Sequence, residues 1–242
     1  MKIPSFLLSA ILVLAVPSTS LAQAEPSADN LLKTARFVAT LQQQDLKGFI
    51  RKGERKFPVG LFLRGENIQL TYTQPGTGKE VRFHMHLQQD SYRLLEVGAS
   101  GESVRFPDAK LGQSIEGSDL SYEDLSMRFL YWPNGTVDPE LDKIKGQQCR
   151  VVHLANPNGK GRYAQVRVWV HKKSQALMKV VGYNADGLPL KRFQVLDIMK
   201  VGNAYTLRRM RVDTVDPIAN KVVGLTYLEL DKPKAVKPGG LR

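Results

Sequence analysis

The chain has 242 residues, a formal net charge of +12 and one cysteine. That length suffices for one good core, and β-rich chains of this size often stay a single domain. A lone cysteine excludes an internal disulfide, so the fold must rest on its core.

In chain order, Lys2 precedes an apolar run from Phe6 to Val16, and a short polar stretch then leads to Ala22-Gln23-Ala24. This is the layout of a secretory signal peptide, and the run falls short of the ~20 residues a membrane-spanning helix needs. Cleavage is expected after Ala24, dividing the chain into a signal peptide at 1–24 and one domain at 25–242. The expected compartment is the periplasm. A lipoprotein carries its acylated cysteine just after the apolar region, whereas Cys149 lies deep in the chain, so no lipid anchor is expected. Export also removes nucleic acid as the partner for the basic excess. Anionic lipid surfaces remain, beside the plainer reading that the charge keeps the protein soluble.

Asp29 or Asn30 can cap a helix in which Leu31, Leu32, Ala35, Val38 and Leu41 recur at helical spacing, ending near Gln44. From Lys47 to Gln89 the period changes to two, as in a half-buried antiparallel sheet. Ile68, Leu70 and Tyr72 share a face with Val81, Phe83, Met85 and Leu87, while Gln69, Thr71, Arg82, His84 and His86 take the other. A Gly/Ser/Pro-rich stretch from Gly98 to Asp119 breaks the alternation, and Ser121 with Asp124 then forms a near capping box for a short helix. Asn134-Gly135 and Asp138-Pro139 mark turns.

From Gln148 onward the chain reads as a meander of six strands, parted by turn signals such as Asn158-Gly159, Asp186-Gly187 and Gly202-Asn203. The tail from Asp231 has nothing to bury and is expected to be mobile. About ten strands with at most three short helices need a cover for one large apolar face. A mainly β fold of the α+β type is expected, a strongly curved, incompletely closed antiparallel sheet with helices over its concave side.

Catalytic chemistry finds little footing. His84 and His86 lie two apart in a strand and point the same way, and Gly78 precedes them as in half of a cupin metal motif. Asp90 then stands where a glutamate is wanted, and no third histidine follows before His153. A metal-dependent enzyme therefore competes with a polar outer strand face. Cys149 sits in an alternating strand instead of at a helix start, and Glu123-Asp124 are adjacent residues that diverge on a helix. With no G-x-S-x-G elbow and no phosphate loop, the expectation is a chain that is not an enzyme and takes no cofactor.

The apolar face offers a different site. Its candidate cavity residues are Leu61, Leu63, Leu70, Tyr72, Phe83, Met85, Leu87, Phe129, Tyr131, Trp132, Val166 and Val168. In the later strands Tyr163/Trp169 and Val166/Val168/Val170 compete for the concave side. Arg208, Arg209 and Arg211 either meet acidic headgroups or form a solvated face.

The phrases GSDLSYEDLSMRFLYWP, KGQQCRVVHL, VRVWVHKKSQALMKVVGYNADG, KRFQVLDIMK, YTLRRMRVDTVDP and NKVVGLTYLELDKP cover about half the chain, from roughly Leu111 to Asp231. In these the sequence resembles the LolA-like family of outer-membrane lipoprotein-sorting proteins. The resemblance implies a half-barrel of about eleven antiparallel strands, with two or three helices as a lid over an apolar concavity. It implies a monomeric carrier of acylated lipoproteins or other lipids, served by inner-membrane donor and outer-membrane acceptor proteins and not by nucleic acid. An envelope-sensing or protein-binding module on the same fold is the alternative. The receptor-type relatives are lipoproteins, from which Cys149 departs, and no family functional residue is carried over.

Overall fold

A computed structural model describes residues 26–40, 45–64, 67–88, 91–98, 100–201 and 204–233. The expected signal peptide, the helix end near Gln44 and the tail beyond 233 lie outside the described residues.

Helix α1 (Ala28–Thr40) buries Ala28, Leu31, Leu32 and Ala35, the face its spacing marks as apolar. Its cap is Ser27, whose hydroxyl accepts from the Asn30 N–H at 3.3 Å, a correction to the expected Asp29 or Asn30. The helix starts earlier than its apolar spacing suggests, so the serine before Ala28 occupies the capping position.

Six strands follow: β1 (Asp45–Lys52), β2 (Arg55–Arg64), β3 (Asn67–Thr73), β4 (Glu80–Gln88), β5 (Ser91–Val97) and β6 (Ser103–Arg105). A covering segment then carries α2 (Tyr122–Ser126) between 3₁₀ turns at Asp108–Lys110 and Arg128–Tyr131. The expected capping box is present. Ser121 Oγ accepts from the Asp124 N–H, and the Asp124 carboxylate accepts from the Ser121 N–H at 2.7 Å. The rest is β7 (Thr136–Val137), β8 (Asp142–Ile144), β9 (Gln147–Ala155), β10 (Gln165–His171), β11 (Leu177–Tyr183), β12 (Pro189–Val201), β13 (Ala204–Asp216) and β14 (Lys221–Leu230).

All fourteen strands form one open antiparallel sheet, in the order β6-β5-β4-β3-β2-β1-β14-β13-β12-β11-β10-β9-β7, with β8 also on β9. The count exceeds eleven by β6, β7 and β8, strands of two or three residues too short to leave a periodic signature. The N-terminal and C-terminal blocks meet where β1 pairs with β14, Gly48 opposite Leu230. A Cβ on Gly48 would stand 2.0 Å from the Glu229 carbonyl oxygen, so this junction admits only glycine.

The sheet is bent around one core. Flat, thirteen strands in line would span roughly 60 Å at about 4.8 Å each. Yet Phe57, Leu70 and Phe83 from one block share a single buried cluster with Val152, Val168, Phe193 and Val212 from the other. Val166, Val168 and Val170 face this cluster, and Tyr163, just before β10, is buried in it as well, so that of the competing residues only Trp169 takes the other side. Trp169 faces outward into a smaller cluster with Ile144, Cys149, Val151 and Val181, its Nε1 donating to Asp142 at 2.7 Å.

Candidate functional site

Two elements cover the concave face: α1 and the segment from Phe106 to Trp132. Asp119 fastens that segment to three strands, accepting from Thr214 at 2.7 Å and Thr226 at 2.8 Å and pairing with Lys52 at 3.2 Å. Burial works against its charge, but the hydrogen bonds from Thr214, Thr226 and Lys52 prevail and hold the carboxyl below its usual range. Helix α1 is held mainly by packing. Its polar tie is Arg36, which donates to the Leu130 carbonyl at 3.0 Å and stands 4.5 Å over the Tyr131 ring. Gly135 lets it settle, for a Cβ there would lie 3.0 Å from that of Ala28.

Beneath this cover the structure packs most of the sequence-predicted site residues together. Leu63, Leu70, Tyr72, Phe83, Met85, Phe129, Trp132, Val166 and Val168 are buried in the main core cluster, with Leu61 and Tyr131 half-buried against it. Leu87 is in β4, but its side chain lies outside the described ones. Much of the concave face is thus occupied by the protein's own side chains. A gap of about 10 Å³ beside Met127, Phe129, Phe193 and Met210 holds at most a water.

A larger hollow, about 580 Å³, lies at the open seam of the sheet. Its walls come from both ends of the strand order: Tyr92 to Leu95 of β5 on one side, Pro157 and Asn158 of the β9–β10 turn on the other. Arg105, Phe106, Asp108, Leu111, Arg128, Tyr131 and Trp132 complete it. The hollow exists because β6 stops short, pairing only with Leu95, Glu96 and Val97, so that Tyr92 and Arg93 have no partner on that ladder. Of the twelve sequence-predicted residues, Tyr131 and Trp132 line it. Tyr92 and Leu94 were readable as one face of a short alternating strand, but nothing local pairs them with residues 157 and 158.

The lining mixes the aromatic and aliphatic side chains of Tyr92, Leu94, Phe106, Tyr131 and Trp132 with polar groups that include Asp108, Arg128 and Asn158. Burial pushes the Tyr131 phenol up to about 12, against the pull of Arg36, and burial likewise raises Tyr92, against Arg128. Both hydroxyls therefore stay neutral. Arg128 is buried, its Nε 3.1 Å from Glu123 Oε1, and it also donates to the Lys160 carbonyl. Glu123 accepts from the Arg162 N–H at 2.8 Å; burial raises its pKa despite these partners. Asp124 turns the other way, to Lys191 at 2.5 Å and the Tyr163 hydroxyl at 2.5 Å. The adjacent carboxylates diverge as helical geometry requires, each taking its own cation.

His84 and His86 lie on the outer face of β4, their ring centroids 6.3 Å apart. His84 Nε2 contacts Gln69 Oε1 at 3.0 Å and His86 Nδ1 contacts Asn67 Oδ1, both on β3. Among the described residues no three or more His, Cys, Asp or Glu side chains are grouped so that they could hold a metal ion.

Comparison with known proteins agrees with this architecture. A family model described as an uncharacterized protein matches residues 66–233. A domain called an outer membrane lipoprotein-sorting protein, from Vibrio parahaemolyticus, superposes with a TM-score of 0.63 at 13% identity, over 88% of this chain and 94% of that one. The LolA superfamily protein NE2245 from Nitrosomonas europaea gives 0.60 at 14%, over 87% and 95%. A DUF1329 family protein from Desulfovibrio piger gives 0.61 at 16%, over 87% and 93%. No curated protein matches the chain by sequence. Among the described residues no helix is long and apolar enough to cross a membrane. The match over more than half the sequence shows that the chain belongs to the family that this model describes, and the single open sheet with these neighbours shows that it has the fold of LolA-superfamily and lipoprotein-sorting domain structures.

Proposed function

We propose that residues 25–242 form one exported domain that works in the periplasm as a carrier, sheltering the acyl chain of a lipoprotein or lipid during sorting to the outer membrane. The observation that carries this reading is the seam cavity of about 580 Å³. Its size falls within the roughly 300–1,000 Å³ of small-molecule sites, and its walls include the aromatic side chains of Tyr92, Phe106, Tyr131 and Trp132.

Energetics favour a cover that yields to cargo. A sixteen-carbon chain leaves water with a gain on the order of 10 kcal/mol, at about 0.8 per methylene. Helix α1 seals the concave face with two buried leucines, Leu31 and Leu32, worth roughly 3–6 kcal/mol. An entering chain can therefore displace the helix, extending the hollow past Tyr131 and Trp132 toward Phe129, Phe83, Met85 and the other residues of the concave face. Emptying the site lets α1 return, which supplies the drive for release. The carrier breaks and forms no covalent bond, and needs no cofactor.

Native mass spectrometry of the protein recovered from a periplasmic extract tests this. Adducts of acyl-chain mass are expected. Their consistent absence, together with failure to take up lipoprotein in a transfer assay, overturns the proposal.

A further inference from the structure

We propose that the mouth of the seam hollow is a slot for one extended peptide strand, taken by the polypeptide that trails from an acylated residue of the cargo and pairs with the bare edge of β5. This rests on the carrier reading and narrows its cargo from lipids in general to acylated polypeptide.

The hollow reaches into the plane of the sheet. Four consecutive residues of β5, Tyr92 to Leu95, line it, although successive side chains of a strand point to opposite faces. Tyr92 and Leu94 pack on the concave side, whereas Arg93 stands opposite His86 and Leu95 opposite His84, on the outer side. Arg105, opposite Leu95, and Phe106, in the core just past β6, repeat the alternation. A space that touches both sets runs along the strand's edge, where the backbone groups are.

Those groups lack a strand partner. The Phe106 N–H donates to the Leu94 carbonyl at 3.0 Å, so Leu94 turns its backbone toward β6, and Tyr92, two residues before, turns the same way. The β6 ladder covers only Leu95, Glu96 and Val97, so among the described residues no strand meets the Tyr92 N–H and carbonyl. The far wall supplies none. Pro157 has no N–H, and Asn156 folds the turn on itself, donating to the Lys160 and Tyr163 carbonyls and accepting from the Asn158 and Gly159 N–H groups. An open strand edge is a template for another extended chain. An acyl group that passes inward beyond Tyr131 and Trp132 leaves its polypeptide at this mouth, whereas a free lipid has no ladder of N–H and C=O groups to offer.

An N-palmitoyl hexapeptide of alternating serine and alanine probes the slot. Its control is the fully N-methylated counterpart, which keeps the acyl chain and the side chains but has no backbone N–H. Titration calorimetry is expected to give the hexapeptide about tenfold tighter binding than the methylated form, the scale of two net strand hydrogen bonds. Amide hydrogen exchange locates the gain: the Tyr92 N–H slows with the hexapeptide and not with the methylated form. A hexapeptide that binds no more tightly than its methylated form, or a preference that leaves Tyr92 unprotected, overturns the strand slot and leaves the carrier reading standing. No binding of either acylated probe overturns both.

Discussion

Asp119 shows how one side chain decides where the covering segment lies. It reaches β1 through Lys52, β13 through Thr214 and β14 through Thr226, while its own N–H donates to Thr226 Oγ1 at 2.9 Å. Its folded-state pKa is depressed, so its contribution is present above the unfolded value of about 3.9 and is lost as pH falls through the folded one. Asp119→Asn is therefore expected to lower stability by about 2 kcal/mol at pH 7, the loss of charged hydrogen bonds in a buried place. Urea unfolding at pH 7 and pH 3 checks it: the difference between the two proteins shrinks at the lower pH, and a gap independent of pH refutes the assignment. In sequence Asp119 is only the end of a Gly/Ser-rich stretch, because Thr214 and Thr226 lie 95 and 107 residues away and Lys52 is distant on the other side. Ser121 and Asp124 were legible, since a capping box is written within four residues.

Helix α1 is the element on which opening depends. Gly135 sits where a side chain would meet Leu154 at 2.9 Å, Ala28 at 3.0 Å and Val152 at 3.3 Å, so added bulk pushes against helix and sheet together. The strands are fixed by their ladders, and the helix is the part that gives way. Gly135→Val is expected to loosen α1 at about 1–3 kcal/mol. Hydrogen exchange at residues 28–36 should then quicken while β9 and β10 stay protected. Uniform loss of protection, or none, shows that α1 is not a separable cover. The helix itself was plain from its apolar spacing. Asn134-Gly135 was equally plain as a turn, yet its second role as a seat for α1 depends on a contact across more than a hundred residues, which no local pattern records.

Across the whole molecule, the meander and its alternation were readable because each strand turns tightly into the next. The seam cavity was not, since it depends on where β6 stops and on β5 approaching a turn some sixty residues later. The bend that creates the seam also wraps the sheet around one cluster fed by both blocks, with β1 and β14 joined at Gly48. A core shared in this way cannot be lost from one block alone. The two tryptophans test that coupling from opposite sides of the sheet, Trp132 in the main cluster and Trp169 in the outer one. Urea unfolding of Trp169→Phe and Trp132→Phe, each followed by its remaining tryptophan, is expected to give a single transition with the same denaturant slope in both, after allowance for each substitution's own shift in midpoint. Because the slope scales with the surface exposed, a shallower transition seen by Trp169 alone means that the C-terminal strands unfold by themselves. The sheet then comprises two cooperative units, and a cargo chain opening the seam bears on both, since each supplies one wall.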